Sequence, residues 1–331
     1  MLSLCPVDPW SKIRPLLLPA FSTGNLRKMN PIIRECARNT AQRLVNLAEK
    51  QDDVDAERIF GHYTAEVTAY CAFGVPVDYA DMDEFVRMIV SKKMPPTRQA
   101  FCDLFPFVAK MLKIGNRDTR YAHFAGRLAK RLIQRRLGST YCRCLKVEVV
   151  CWRLMRTFLK QSVTMHLSEN EMLAQCALYL LAGTETPLVP LSAAVRLLAK
   201  HPDIQCELRN EVDHCVARNE SEPSFEEINK LPYLNAVIRE TLRINPPVSR
   251  FLHGDNETVR RYAYLPFGVG PRACIAARFA LHAMKVCLFE AIRNVEFVKY
   301  SSHAKIYSQH SESIREDDVL QDMRLKVKRR M

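Results

Sequence analysis

The feature that most narrows the folds open to this chain is the spacing of its apolar residues, which recur at three- and four-residue intervals along most of its 331 positions. Period-two runs bounded by turn residues, the mark of strands, are scarce before the C-terminal third. The spacing predicts a mainly α fold. A first helix is expected from about Pro9 into Arg14 and a longer amphipathic one from near Met29 toward Glu49, with Gly74, Pro76, Pro95 and Pro96 punctuating further helices. Ser168-Glu-Asn-Glu171 has the form of a capping box, and Met172, Leu173, Cys176 and Leu180 continue it as an apolar stripe. Pro187 and Pro190 each remove a backbone donor and should bend or interrupt that helix just beyond Thr186. Two more helices are expected over 202–216 and 234–243. The second has Leu234, Val237, Ile238, Thr241 and Leu242 in register and is stopped by Pro246-Pro247.

With 48% hydrophobic and 26% charged residues the chain can bury a sizeable core. The longest purely apolar run in its most apolar helix, Cys176 to Ala182, is far below the roughly 20 residues that cross a bilayer, so no spanning segment is expected. The opening residues lack the basic start, apolar stretch and cleavage site of a secretory signal, which predicts a chain that begins in the cytosol. Its twelve cysteines include no CxxC pair, so reduced thiols are expected. Cys142, Cys144, Cys151 and His166 match no zinc spacing.

The net charge of +13 is concentrated locally, since residues 117–160 hold twelve Lys/Arg against Asp118 and Glu148 alone. Interleaved Tyr121, Phe124, Tyr141, Trp152 and Phe158 allow a nucleic-acid or anionic-lipid surface, and a solvated helix face accounts for the same charges. Within 140–165 the run Thr-Tyr-Cys-Arg-Cys-Leu-Lys has neither helical stripe nor turn residues, and a third reading is that this stretch is out of frame. One synonymous codon choice for Ser139 to Lys146, read in another frame, encodes an ordinary amphipathic helix.

The sharpest local signal is the decapeptide from Phe267 to Ala276, Phe-Gly-Val-Gly-Pro-Arg-Ala-Cys-Ile-Ala. Gly268 and Gly270 permit backbone angles closed to other residues just before Cys274. A helix is expected from about Ala276 to Ile292. It would place the sulfur near a helix N-terminus, where free N–H groups and the partial positive charge favour a thiolate. A lone cysteine is more often a small buried hydrophobe. Phe, two Gly, Arg and Cys at fixed offsets make that reading the poorer one here.

This decapeptide resembles the haem-binding loop of the cytochrome P450 monooxygenases, and the resemblance implies that Cys274 is the axial thiolate ligand of haem iron, with Phe267 and Arg272 beside the porphyrin. Tyr264-Leu-Pro-Phe267 before the loop and Arg278-Phe-Ala280 after it are also similar to the family, whose usual glycine two residues beyond the cysteine is Ala276 here. Ala182-Gly183-Thr184-Glu185-Thr186 resembles the oxygen-binding segment. There the small Ala182 and Gly183 let haem and O2 approach, Glu185 is the relay acid and Thr186 the hydroxyl. Read alone, Thr186 is equally a threonine bonding back to a carbonyl at a helix bend, and the residue after it is Pro187 where the family often has Thr or Ser. Glu240-Thr-Leu-Arg243 is similar to the E-x-x-R helix, whose pair bonds a later arginine; Trp10 and Arg14 resemble the W-x-x-x-R pair that donates to a haem propionate, and Arg250 or His253 is a further candidate donor.

By resemblance to animal microsomal members, the chain is expected to insert one atom of O2 into a lipophilic organic molecule, with electrons from an NADPH-cytochrome reductase. Lys12, Arg27, Lys28 and Arg278 are candidates for the reductase-facing charges, though solvated charge serves as well. No nucleic-acid partner is implied. The expected location is the cytosolic face of the endoplasmic reticulum membrane. The similarity covers about residues 10–75, 168–250 and 260–300 of what reads as a single incomplete domain, comprising early-middle helices over 1–139, the doubtful frame of 140–165, the oxygen-binding and E-x-x-R helices over 166–250 and the thiolate loop over 260–300. Trp10 is an early-middle element of the family, so the membrane anchor and first strands are expected to be lacking. Only 34 positions separate Glu240 from Cys274, so an internal block with the arginine that completes the Glu240–Arg243 network is expected to be lacking too, leaving a partly buried charge cluster unsatisfied. Two functions follow, a haem-thiolate monooxygenase or a non-catalytic fragment that cannot hold haem and offers at most a basic surface.

Overall fold

The computed structural model describes residues 11, 13–15, 17–91, 119–138, 169–219, 222–247, 264–299 and 324–330. In chain order the elements are α1 (Thr23–Lys50), β1 (Val54–Asp55), α2 (Ala56–Phe73), α3 (Tyr79–Val90), α4 (Thr119–Gly138), α5 (Glu169–Lys200), α6 (Pro202–Arg218), α7 (Phe225–Lys230), α8 (Pro232–Ile244), α9 (Ala277–Asn294), β2 (Val295–Val298) and β3 (Arg324–Arg329). The mainly α fold is as the periodicity predicts. Residues 11 and 13–15 are helical, in keeping with the expected first helix, while Trp10 lies outside the described residues. The chain divides into two compact units, residues 1–20 with 68–185 and residues 21–67 with 186–331.

In the first unit the dominant packing joins α3 and α4. Phe85 and Phe124 stack with ring centroids 6.0 Å apart, and Tyr121, Leu128 and Leu132 are buried. The basic face of α4 is met by acids of α3 and its N-cap: Arg131 Nη1 lies 2.8 Å from Asp81 Oδ2, and Arg135 pairs with Asp78. Two aromatics singled out as a stacking surface, Tyr121 and Phe124, are therefore core residues, and Arg131 and Arg135 further along α4 lie on a paired, solvated face of the helix. Residues 139–168, including the stretch read as out of frame, lie outside the described residues.

The second unit is built on α1 against α9. α1 starts at Thr23, six residues before the expected Met29, because the Ser22 side chain accepts a 3.4 Å hydrogen bond from the Asn25 N–H and so caps the helix. Leu26, Met29, Ile33, Ala37, Ala41 and Leu44 then form one buried stripe. A three-stranded antiparallel sheet of order β1-β3-β2 closes the unit, with Val54 opposite Leu325 and Glu296 opposite Lys328. The edge strand β2 is satisfied by a side chain. Gln205 Nε2 donates to the Phe297 carbonyl at 2.9 Å, and the Phe297 N–H donates to Gln205 Oε1 at 2.8 Å.

The helix α5 corrects half of one expectation, that of an interruption. It does not end beyond Thr186 and runs through Pro187 and Pro190 to Lys200. Leu188, Leu191, Ala194, Val195 and Leu198 on its later turns are buried, and their burial outweighs two absent backbone bonds. With 32 residues and a mean hydropathy of 1.2 over its most apolar window, α5 is long and apolar enough to cross a membrane, but most of that window is buried inside the protein. It is a core helix.

Candidate functional site

The loop before α9 is held by its own backbone. The Gly268 N–H donates to the Leu265 carbonyl (3.0 Å), the Ala273 N–H to the Gly270 carbonyl (3.0 Å) and the Cys274 N–H to the Phe267 carbonyl (2.8 Å). Gly268 and Gly270 take φ of +72° and +76°, a region where a side chain would be strained, as their position in the sequence predicts. The last bond draws Phe267 and Cys274 together, so ring and sulfur share one loop. Phe267 is half-buried, and Arg272 and Cys274 are exposed.

Among the described cysteines only Cys274 and Cys206 are exposed, and Cys206 sits within α6. Burial pushes the thiols of Cys71, Cys215 and Cys287 above their ordinary value, which keeps them protonated. Cys274 instead lies three residues before α9, whose N-cap, Ala276, supplies no side-chain acceptor to the first-turn N–H groups. An exposed sulfur at a helix N-terminus, a half-buried phenyl ring and an exposed guanidinium on one loop suit a metalloporphyrin, by thiolate ligation, ring contact and propionate pairing respectively.

α9 is fixed from behind by a buried polar network that the sequence reading did not single out. His282 is fully buried. Its Nδ1 lies 2.7 Å from Asn229 Nδ2 and its Nε2 2.9 Å from Asn30 Oδ1, so the ring accepts from Asn229 and donates to Asn30 as the neutral Nε2–H tautomer. Burial, then the charges of Lys285 and Arg34, lowers its pKa to about 4. Lys285 Nζ donates to the backbone and side-chain oxygens of Asn229 at 3.2 and 3.3 Å. Tyr63 Oη donates to the Ala283 carbonyl at 2.8 Å. Arg34 reaches across from α1, donating to the Pro223 carbonyl at 2.6 Å, with its Nη2 3.2 Å from Glu222 Oε2 and 3.8 Å from the buried Glu290. The signal for this network was available: His282, Lys285 and Glu290 interrupt an otherwise apolar helix.

The Glu240–Arg243 pair is found where the spacing puts it, bidentate at 2.7 and 2.6 Å on α8. The expectation of a partly buried, unsatisfied cluster is not met. Both side chains are more than half exposed, and each satisfies the other. Glu240's carboxyl is held below its ordinary value by the Arg243 hydrogen bond.

Ala182, Gly183, Thr184, Glu185 and Thr186 lie in mid-α5, where the apolar stripe relaxes. Leu180 and Leu181 are buried but Ala182 is exposed, Gly183, Glu185 and Thr186 are half-buried, and Thr184 is fully buried. Arg14 is half-buried, and Trp10, Arg250 and His253 lie outside the described residues.

The loop that presents Cys274 ahead of a buried helix, Glu185 and Thr186 in mid-helix and the E-x-x-R helix each suit a haem-thiolate protein. The profile of the family described as Cytochrome P450 matches residues 2–252 and 248–316, and the chain belongs to that family. Among its curated relatives are cytochrome P450 3A29 of Sus scrofa (30% identical), cytochrome P450 3A16 of Mus musculus (29%) and cytochrome P450 3A5 of Homo sapiens (29%), each alignment covering 89% of this chain and 69% of the relative. The function is that of a haem-thiolate monooxygenase with iron as its metal, and the non-catalytic alternative is not favoured.

Proposed function

We propose that Cys274 is the axial ligand of the haem iron, that Phe267 covers the porphyrin beside the sulfur, and that Arg272, Arg14, Trp10 and Arg250 serve the propionates. On the oxygen side, Ala182 and Gly183 leave room, Thr186 positions a proton by its hydroxyl and Glu185 passes protons from solvent. Glu240 and Arg243 hold each other on α8 and take no part in the chemistry. Bound haem supplies the oxygen-activating chemistry, and thiolate ligation raises electron density on the iron. The observation that carries this reading is the loop itself, closed from Phe267 to Cys274 by a 2.8 Å backbone bond and leaving the sulfur exposed at the start of α9. The substrate is a lipophilic organic molecule, electrons come from an NADPH-cytochrome reductase, and the protein works at the cytosolic face of the endoplasmic reticulum membrane, as suits a relative of animal microsomal enzymes.

The test is the reduced, carbon-monoxide-bound spectrum of the chain expressed with a haem precursor. A thiolate-type Soret band is expected, and Cys274→Ser should abolish it. A band unchanged in that variant refutes the assignment. Thr186→Ala should keep the band while product formed per NADPH falls by about a hundredfold, the lower end of what one proton-transfer group contributes. Unchanged coupling would remove Thr186 from its role.

A further inference from the structure

Thr68 of α2 stands against the oxygen-binding segment of α5 within the first unit. An ideal Cβ placed on Gly183 would come within 2.6 Å of Thr68 Oγ1 and 2.7 Å of its Cγ2, closer than real atoms approach, so Gly183 is required by Thr68 and not by its own backbone. Thr68 is 4% exposed, and its hydroxyl has no hydrogen-bond partner among the described residues. That is a costly state for a buried donor, and it is avoidable in a helix. Three buried helical threonines of this chain spend their hydroxyls on nearby carbonyls: Thr40 on Cys36 (2.9 Å), Thr64 on Gly61 (3.1 Å) and Thr241 on Val237 (2.8 Å). Thr68 instead faces Gly183. Four residues on, Pro187 has no N–H, so the Gly183 carbonyl lacks its usual i+4 donor.

We infer that Thr68 is a positioning residue for the oxygen-binding segment: its side chain wedges against Gly183 to fix the course of α5, and its hydroxyl is the donor held for the helix carbonyl that Pro187 strips of its partner. Small shifts of α5 at Gly183 bring that hydroxyl into play and set the line of Glu185 and Thr186. The inference rests on the reading of Glu185 and Thr186 as the proton-handling pair.

The experiment uses the haem-loaded chain with its reductase and a lipophilic alkoxycoumarin as probe, scoring dealkylated product and hydrogen peroxide per NADPH. Thr68→Val keeps the shape and deletes the hydroxyl. It is expected to retain the carbon-monoxide band but lose about fivefold in coupling, the worth of one hydrogen bond, while Thr68→Ser restores coupling. Equal coupling in Thr68→Val and the parent overturns the inference, as does loss in Thr68→Ser equal to that in Thr68→Val. Thr186→Ala is run alongside. If it uncouples and Thr68→Val does not, only the present inference fails; if it does not uncouple, the proton-handling reading fails first. The wedge has a separate readout. Gly183→Ala should lower haem content and the thermal midpoint, and Gly183→Ala with Thr68→Ala should recover most of both, whereas additive losses refute the wedge.

Discussion

Two charge arrangements in the second unit, the buried one behind α9 and the exposed pair on α8, use the same residue types to opposite ends. Arg34, Glu290, His282 and Lys285 are held out of water, where every missing partner is expensive and the arrangement has one good geometry. Glu240 and Arg243 hold each other in solvent, where screening and side-chain entropy leave little net gain. The family's motif lies on the exposed pair, while the helix that carries the thiolate loop is fixed by residues outside any motif.

The widest separation between the two should come from Arg34→Met. It leaves Glu290 buried beside an apolar side chain, with an expected loss of about 3–5 kcal/mol in denaturant unfolding, as for other broken buried pairs. A loss within the scatter of surface variants would show that Glu222 and Arg38 carry the cluster without it. Next in size is the acid response of His282. Its folded pKa of about 4 lies below the unfolded value of 6.5, so the unfolded chain takes up the proton first, and about 3 kcal/mol of stability should be lost as pH falls from 6.5 toward 4. Glu290, whose pKa burial raises, acts in the opposite sense, so the His282 contribution is read as the difference between the parent and His282→Asn across pH 7.5 to 5. A parallel pair of curves would contradict the buried neutral ring. The smallest effect belongs to Glu240→Gln. It should leave the unfolding midpoint unchanged, and a clear drop would mean that this pair is covered in the working protein.

The loop before Cys274 was readable because its constraints are local. Gly268 and Gly270 are where positive φ is needed, and Cys274 falls just ahead of a helix whose apolar run is plain in the sequence. The spacing of Glu240 and Arg243 was readable for the same reason, but their exposure was not, since that depends on what else covers α8. Ser224 and Glu227, which form a complete capping box at α7, carried a legible signal that was passed over. The course of α5 through Pro187 and Pro190 defeated the local rule because long-range burial of Leu188, Leu191 and Leu198 has the larger free energy.

The amino-acid sequence by itself determined the helical class, the glycine-held loop before Cys274 and the placing of Glu185 and Thr186 on one helix, all of which depend on neighbours within a few residues along the chain. Only the tertiary structure decided which charges are buried, which way the Thr68 hydroxyl faces and why residue 183 must be glycine. Those outcomes depend on atoms brought together from segments far apart in the chain, where desolvation and packing, rather than local backbone preference, set the energy.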